Sequence, residues 1–197
     1  MRSLDEKNII KSHKNMKKFT FVQKVRNKIR VSGDLVLDIA QGAKIVHCDI
    51  SVQGKGNHLF IGEGSVLRHT QIEIIGENSS IEIGKNSIIG HGSYLSAKEG
   101  KKLIIGDGCM LSRNARLMTS DGHFIYKNGQ LINRGSDIVL KNNVWLADNV
   151  TVLKGVSMGD GSIAGINSTV TKDVVSKSIV AGNPAKLIQS DIESWQH

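Results

Sequence analysis

Aliphatic residues return along this chain at a fixed interval of 22 positions. The series consists of Ile39, Ile61, Ile83 and Ile105. Companion residues stand two positions before and six positions after each member; they are Leu37, Leu59, Ile81, Leu103, Ile45, Leu67, Ile89 and Leu111. Internal repetition at a short fixed period indicates stacked coils rather than a single globular core.

The spacing of six residues decides the secondary structure. An amphipathic helix repeats its apolar stripe every three or four residues, and an ordinary strand alternates without a break. Six residues suit a short strand plus a tight corner, and three such units make a triangular coil of 18 residues, the repeat seen between Leu140 and Met158. The period of 22 therefore predicts this coil with about four extra residues at one corner, and inward side chains that stack about 4.8 Å apart.

Glycine, asparagine and aspartate crowd the predicted corners, and units of an aliphatic residue, glycine, two variable residues and a small residue follow one another. These units resemble the hexapeptide-repeat acyltransferases. The resemblance covers roughly residues 35–188 and implies an all-β fold, a left-handed parallel β-helix; the hand comes from the family alone. We divide the chain into a basic N-terminal segment (1–34), this solenoid (35–188) and a short C-terminal tail (189–197).

The net charge of +8 belongs to one end of the chain. Residues 1–30 contain ten Lys or Arg against Asp5 and Glu6, whereas residues 31–197 contain 16 charges of each sign. Spaced apolar residues predict that this segment is helical, at least in part. Two interpretations stay open: a cap that closes the first coil, or a surface that attracts a polyanion such as an acidic glycan or an anionic membrane face. Nucleic acid is not expected, because no binding motif accompanies the charge.

Composition also indicates where the protein acts. No run approaches the ~20 apolar residues of a membrane span, and the N-terminus lacks the apolar core of a signal peptide. Cys48 and Cys109 form no disulfide framework. Cys109 occupies the slot that Ser65 and Ser87 fill in neighbouring coils, which predicts a buried side chain. We therefore expect a cytoplasmic protein without a transmembrane segment.

One stretch interrupts the repeat. The aliphatic residues that begin each six-residue unit, here called heads, stop after Leu117 and resume at about Ile138. This gap predicts an extended loop over residues 118–137. Loops on a rigid scaffold are a common location of function. The loop contains His123, in the run Thr-Ser-Asp-Gly-His, close to the point where the chain leaves the coil.

This run, together with the motif from Val144 to Ala147, is similar to the O-acetyltransferases of that superfamily, including galactoside, maltose and sialic-acid capsule enzymes. The resemblance implies that His123 is the general base that takes the proton of an acceptor hydroxyl as it attacks acetyl-CoA. It also implies that Trp145 lies in the active site and packs on pantetheine or sugar. For Asp121, three roles stay open: orienting the imidazole, binding the acceptor, or shaping a turn.

The same resemblance implies a track for coenzyme A along the following coils. Ala147 stands where the family motif has glycine, and the backbone N–H of Asp148 is expected near the thioester oxygen as an oxyanion donor. The other implied contacts are Gly165 and Ile166 with pantetheine, and Thr171, Lys172 and Lys186 with the nucleotide end.

His47, His69 and His91 also recur every 22 residues, and Arg113 continues the row. Three histidines suggest zinc, but a straight row with ~4.8 Å steps is not a tetrahedral site. We expect no metal and interpret the row as a surface or trimer-contact ladder.

The sequence thus predicts an acetyl-CoA-dependent O-acetyltransferase of a bacterial surface glycan: a capsule, polysialic acid or lipopolysaccharide sugar. Members of the family are trimers with sites between prisms, so we expect a homotrimer in which His123 faces the coenzyme coil of a neighbour. One alternative is the same chemistry on a small acceptor, namely a free sugar, a nucleotide-linked amino sugar or an antibiotic. The other is a non-catalytic scaffold.

Overall fold

The computed structural model describes residues 10–11 and 21–196, so most of the predicted N-terminal segment lies outside the described residues. The first elements are β1 (Ile10–Lys11), α1 (Phe21–Arg26), β2 (Lys28–Ile39), β3 (Lys44–Val46), β4 (Asp49–Ile61), β5 (Val66–Arg68), β6 (Gln71–Ile75), β7 (Ser80–Ile83), β8 (Ile88–Ile89), β9 (Tyr94–Lys98), β10 (Lys102–Ile105), β11 (Met110–Leu111) and β12 (Arg116–Met118). They continue with β13 (Tyr126–Lys127), β14 (Gln130–Leu131), β15 (Ile138–Leu140), β16 (Trp145–Leu146), β17 (Thr151–Val152), β18 (Ser157–Met158), β19 (Ile163–Ala164), β20 (Thr169–Val170), β21 (Ile179–Gly182) and β22 (Ala185–Gln189).

The strands stack into three parallel faces of a triangular prism. The first face contains the C-terminal halves of β2 and β4, then β7, β10, β15 and β18. The second contains β3, β5, β8, β11, β16, β19 and β21. The third contains the N-terminal halves of β2 and β4, then β6, β9, β12, β17 and β20. The predicted parallel solenoid is therefore confirmed, and its first long strand begins at Lys28, within the range assigned to the N-terminal segment.

The aliphatic heads of the repeat form the core. Ile83 is fully buried and pairs in register with Ile61 in the coil before it and Ile105 in the coil after it. Cys109 is buried as predicted, and its backbone N–H donates to the Ser87 hydroxyl at 3.0 Å. Burial raises the pKa of the Cys109 thiol to about 11, so this thiol is protonated at neutral pH.

We name the three corners by what they carry. The histidine corner lies between the second and third faces, the asparagine corner between the first and second, and the loop corner between the third and first. At the loop corner the chain runs ten residues from Leu95 to the next head, Ile105, but only six from Val152 to Met158. The extra residues of the 22-residue period lie here, as predicted. Residues 119–137 leave the prism at this same corner.

Among the described residues, no helix has the length and apolarity needed to cross a membrane.

Candidate active site

The interrupting segment forms a short hairpin that stands away from the prism. β13 and β14 pair antiparallel across Asn128 and Gly129, both of which have a positive φ. An Asn-Gly pair favours this tight hairpin turn because both residues tolerate that conformation. The backbone of Ser136 donates to Thr119 O at 2.9 Å and closes the base of the loop.

A polar network fixes the part of the loop that carries His123. The Asn133 amide donates to the backbone oxygen of His123 at 2.8 Å and to Asp121 Oδ2 at 2.9 Å. Its own oxygen accepts the N–H of Ile125 at 2.7 Å. Lys154, in the next coil, donates to Asn133 O at 2.7 Å and pairs with the Asp121 carboxylate. The backbone at His123 is therefore tied to the solenoid through Asn133 and Lys154.

The Asp121 carboxylate is part of this network, since it accepts from Asn133 and pairs with Lys154. The hydrogen bond from Lys154 lowers its pKa; desolvation opposes that effect and the Asn133 amide adds to it. Among the described residues, its partners are Lys154 and Asn133, and not the imidazole of His123. The imidazole itself is exposed at the loop corner.

Glu99 holds the other side of the loop base. Its carboxylate accepts the N–H of Gly135 at 2.8 Å and the hydroxyl of Ser120. These two hydrogen bonds, from Ser120 first and Gly135 second, lower the pKa of Glu99. The coil before the loop and the coil after it thus each supply one charged residue, Glu99 and Lys154. Sequence reasoning missed both, because neither belongs to a motif.

Trp145 lies on the second face, in β16, with its indole half-buried. The indole N–H donates to the Ser112 hydroxyl at 3.2 Å. The ring of Trp195, from the C-terminal tail, lies against it with ring centroids 5.9 Å apart and an interplanar angle of 41°. Trp195 is a third residue that the motifs did not indicate, since it follows the repeat and touches Trp145 only through the return of the tail.

Ala147 and Asp148 turn the histidine corner. The N–H of Ala147 is used in the ladder, donating to Ala164 O at 2.9 Å, whereas the N–H of Asp148 has no backbone acceptor among the described residues. The Asp148 side chain accepts the N–H of Arg113 at 2.9 Å and pairs with Arg113 Nε at 3.2 Å. The predicted donor at Asp148 is thus available and held in place by its own side chain.

The remaining residues of the predicted coenzyme track lie on two corners. Gly165 and Ile166 continue the histidine corner; the N–H of Gly165 donates to Val180 O at 2.8 Å, while Ile166 is exposed. Thr171 and Lys172 lie at the loop corner. Together with Lys186 they line a groove of about 440 Å³ at the C-terminal end of the prism.

The histidine row forms a stack on the surface of the histidine corner. Ring centroids are 5.0 Å apart between His47 and His69 and 4.4 Å apart between His69 and His91. Loss of hydration lowers the pKa of His69, and the charges of His91 and His47 lower it further. Across the described residues no group of three or more His, Cys, Asp or Glu side chains is arranged to hold a metal ion.

Comparison with known proteins gives the class. No family model matches the sequence. The solved structure of the polySia-specific acetyltransferase NeuO is 32% identical, with a TM-score of 0.69 over 88% of this chain and 90% of that chain. That of the polysialic acid O-acetyltransferase OatWY is 28% identical, with a TM-score of 0.79 over 87% of this chain and 88% of that chain. The architecture is that of the left-handed β-helix acetyltransferases, which confirms the predicted hand.

Curated relatives match over shorter spans. A polysialic acid O-acetyltransferase of Escherichia coli O1:K1 / APEC is 39% identical over 45% of this chain and 29% of its own length. A probable macrolide acetyltransferase of Lysinibacillus sphaericus is 37% identical over 46% of this chain and 61% of its own length. The chain thus covers less than two thirds of either curated relative. Because the match to NeuO spans nearly the full length of both chains at 32% identity, the protein belongs to the hexapeptide-repeat acetyltransferases.

Proposed function

We propose that the protein is an acetyl-CoA-dependent O-acetyltransferase that acts on a hydroxyl of a bacterial surface glycan: a capsule, polysialic acid or lipopolysaccharide sugar. The observation that carries this proposal is the 32% identity to a polySia-specific acetyltransferase across 90% of that chain. The fixed loop presents His123, which we propose as the general base.

His123 acts as the general base. Its imidazole takes the proton of the acceptor hydroxyl as the hydroxyl oxygen forms a bond to the thioester carbonyl carbon, and the carbon–sulfur bond then breaks. The free N–H of Asp148 donates to the oxygen that gains negative charge. The imidazolium returns its proton to the departing thiolate. The buried Cys109 thiol, with its raised pKa, is unsuited to an acyl-enzyme route.

The residues on the coenzyme track fit the co-substrate. A thioester carbonyl needs a hydrogen-bond donor, which the N–H of Asp148 offers, and a nucleotide phosphate needs cations, which Lys172 and Lys186 offer beside one groove. When bound, acetyl-CoA supplies the activated acetyl group. With both cysteines free and buried, we place the reaction in the cytoplasm.

A second copy of the chain is needed to assemble the site. His123 lies at the loop corner, which is the one corner that the second face does not touch, whereas Trp145 lies on that second face. One prism therefore keeps the two residues apart. We propose a homotrimer in which the loop of each subunit faces Trp145 and Asp148 of its neighbour.

The first experiment tests the base and the shared site together. His123→Ala should lower kcat by roughly 10²–10⁴-fold with little change in acetyl-CoA binding, because a general base acts in the transition state. Trp145→Ala should also be impaired. Unfolding the two variants together and refolding them as a mixture should restore roughly one quarter of wild-type activity, because that share of sites would pair an intact His123 with an intact Trp145. Each variant refolded alone is the control, and no gain on mixing would contradict a shared site.

The acceptor is tested with a panel of acidic and neutral bacterial polysaccharides. The +8 charge of residues 1–30 favours an anionic polymer, whose turnover should fall as salt rises. The alternative, a small acceptor, is favoured by the similarity to a probable macrolide acetyltransferase. Turnover of a macrolide or a free sugar with none of any polysaccharide would establish it. A non-catalytic scaffold would turn over neither.

A further inference from the structure

The asparagine corner carries a column of residues that leaves a groove along the prism. Successive coils place Asn86, Gly108, Asn143, Gly161 and Lys177 here, and each has a positive φ between 54° and 67°. Gly161 leaves a gap beside Lys177, whereas the Asn143 amide lies over Gly108. Four coil steps separate Asn86 from Lys177, a distance of roughly 19 Å along the axis.

The C-terminal tail forms the other wall of this groove. After β22 the chain turns back, and the N–H of Ile192 donates to Lys177 O at 3.0 Å. The indole N–H of Trp195 donates to Asn143 O at 2.6 Å, which anchors the tail to the column. Between tail and column lies a groove of about 540 Å³, lined by the column, by Asp160 beside it, and by tail residues that include Glu193 and Trp195.

The groove presents polar groups that the protein does not use for itself. Within the described part of the chain, the side chains of Asn86, Asn143, Lys177 and Glu193 make no hydrogen bond or ion pair. The two amides offer both donors and acceptors. One cation, Lys177, and two anions, Asp160 and Glu193, flank them, so the formal charge of the groove is −1.

We propose that this groove is a glycan subsite that binds a sugar residue of the acceptor chain beside the one that is acetylated, with Trp195 as its stacking surface. The inference rests on the proposed function. A pyranose ring has an apolar face that packs on an indole and a rim of hydroxyls that amides and charged groups bind. The contact of Trp195 with Trp145 joins the subsite to the residue predicted in the acetylation site.

The kinetic test compares acceptors of different length. Trp195→Ala should raise KM about tenfold for a tetramer of α2,8-linked sialic acid, equivalent to 1.4 kcal/mol of lost binding. KM for the monomer and for acetyl-CoA should change less than about twofold, since neither reaches the groove. Trp195→Phe keeps an aromatic ring, so its KM for the tetramer should stay close to that of the wild type. Ile188→Ala, at an exposed position of β22 outside the groove, is the matched control. Equal KM values for wild type and Trp195→Ala on the tetramer would overturn the proposal.

A binding test needs no catalysis. The chain has two tryptophans, so ¹⁵N labelling gives two indole signals, and Trp195→Phe assigns them. The Trp195 signal should shift on titration with the sialic acid tetramer or with maltotetraose as a neutral probe. No shift with either at millimolar concentration would refute the subsite. A shift without acetyl transfer to any glycan would instead refute the proposed function and leave the subsite standing. If removal of residues 191–197 raised kcat on the monomer several-fold, the tail would be an inhibitory strap and the proposal would be wrong.

Discussion

Lys154→Met should loosen the loop that carries His123 without unfolding the solenoid. The substitution keeps the side chain as far as its ε position and removes the charged amine. It deletes the donor to Asn133 O and the ion pair with Asp121, while the Asn133 amide still bonds Asp121 and the backbone of His123. The inward aliphatic residues of the coil are untouched.

The size of the effect follows from burial. Hydrogen bonds to charged groups contribute about 1.5–3 kcal/mol, and exposed ion pairs about 0–1 kcal/mol. The Lys154 side chain is 21% exposed and that of Asp121 is 46% exposed, so we expect about 1 kcal/mol of local stability to be lost. That loss raises the open fraction of the loop about fivefold. If only the closed loop places His123 for reaction, the same loss lowers kcat by at most about fivefold.

Hydrogen exchange measures the loop directly. The amides of Ile125 and Ile132, which bond Asn133 Oδ1 and Ile125 O, should exchange about fivefold faster in Lys154→Met. KM for acetyl-CoA should not change. Lys127→Met, in the same hairpin but exposed, is the matched control. Unchanged exchange and unchanged kcat in Lys154→Met would refute the positioning role.

The pH dependence of the stability of the loop follows from the ion pair between Lys154 and Asp121. The folded pKa of Asp121 is below its ordinary value of about 3.9, so the stabilisation is complete above that value and is lost as pH falls through the folded pKa. In Lys154→Met the pKa of Asp121 should rise towards the ordinary value, as ¹³C NMR of the carboxyl would show.

Two further changes test the coenzyme track and the core. Lys172→Ala should raise KM for acetyl-CoA more than it changes kcat, because a contact with a remote phosphate stabilises the ground state and the transition state equally. The rise in KM should be much smaller with a cofactor that lacks the 3′-phosphate. An equal rise with both cofactors would exclude the contact. Ile83→Ala should cost about 2–5 kcal/mol in the free energy of unfolding, because Ile83 is fully buried between Ile61 and Ile105; a loss below about 1 kcal/mol in urea denaturation would contradict the stacked core.

The repeat made the solenoid predictable, because parallel pairing imposes one register on every coil. The stacking of Ile83 on Ile61, the burial of Cys109 and the placing of the extra residues at a single corner all follow from spacing. Spacing does not reveal which polar side chains meet around the loop. The contact of Lys154 with Asp121 spans 33 positions, and its partners converge only because successive coils share a corner.

The loop corner explains how a rigid repeat accommodates a site. An insertion within a face would shift the register and turn inward side chains outward. An insertion at a corner adds chain without that cost: Leu117 still pairs with Val152, and Ile105 with Leu140, across the long loop. The earlier coils already carry a few extra residues at this corner, and one of them supplies Glu99. The loop therefore begins and ends on fixed strands and is held by Glu99 below and Lys154 above, so that the backbone at His123 is tied to the coils while its imidazole stays exposed.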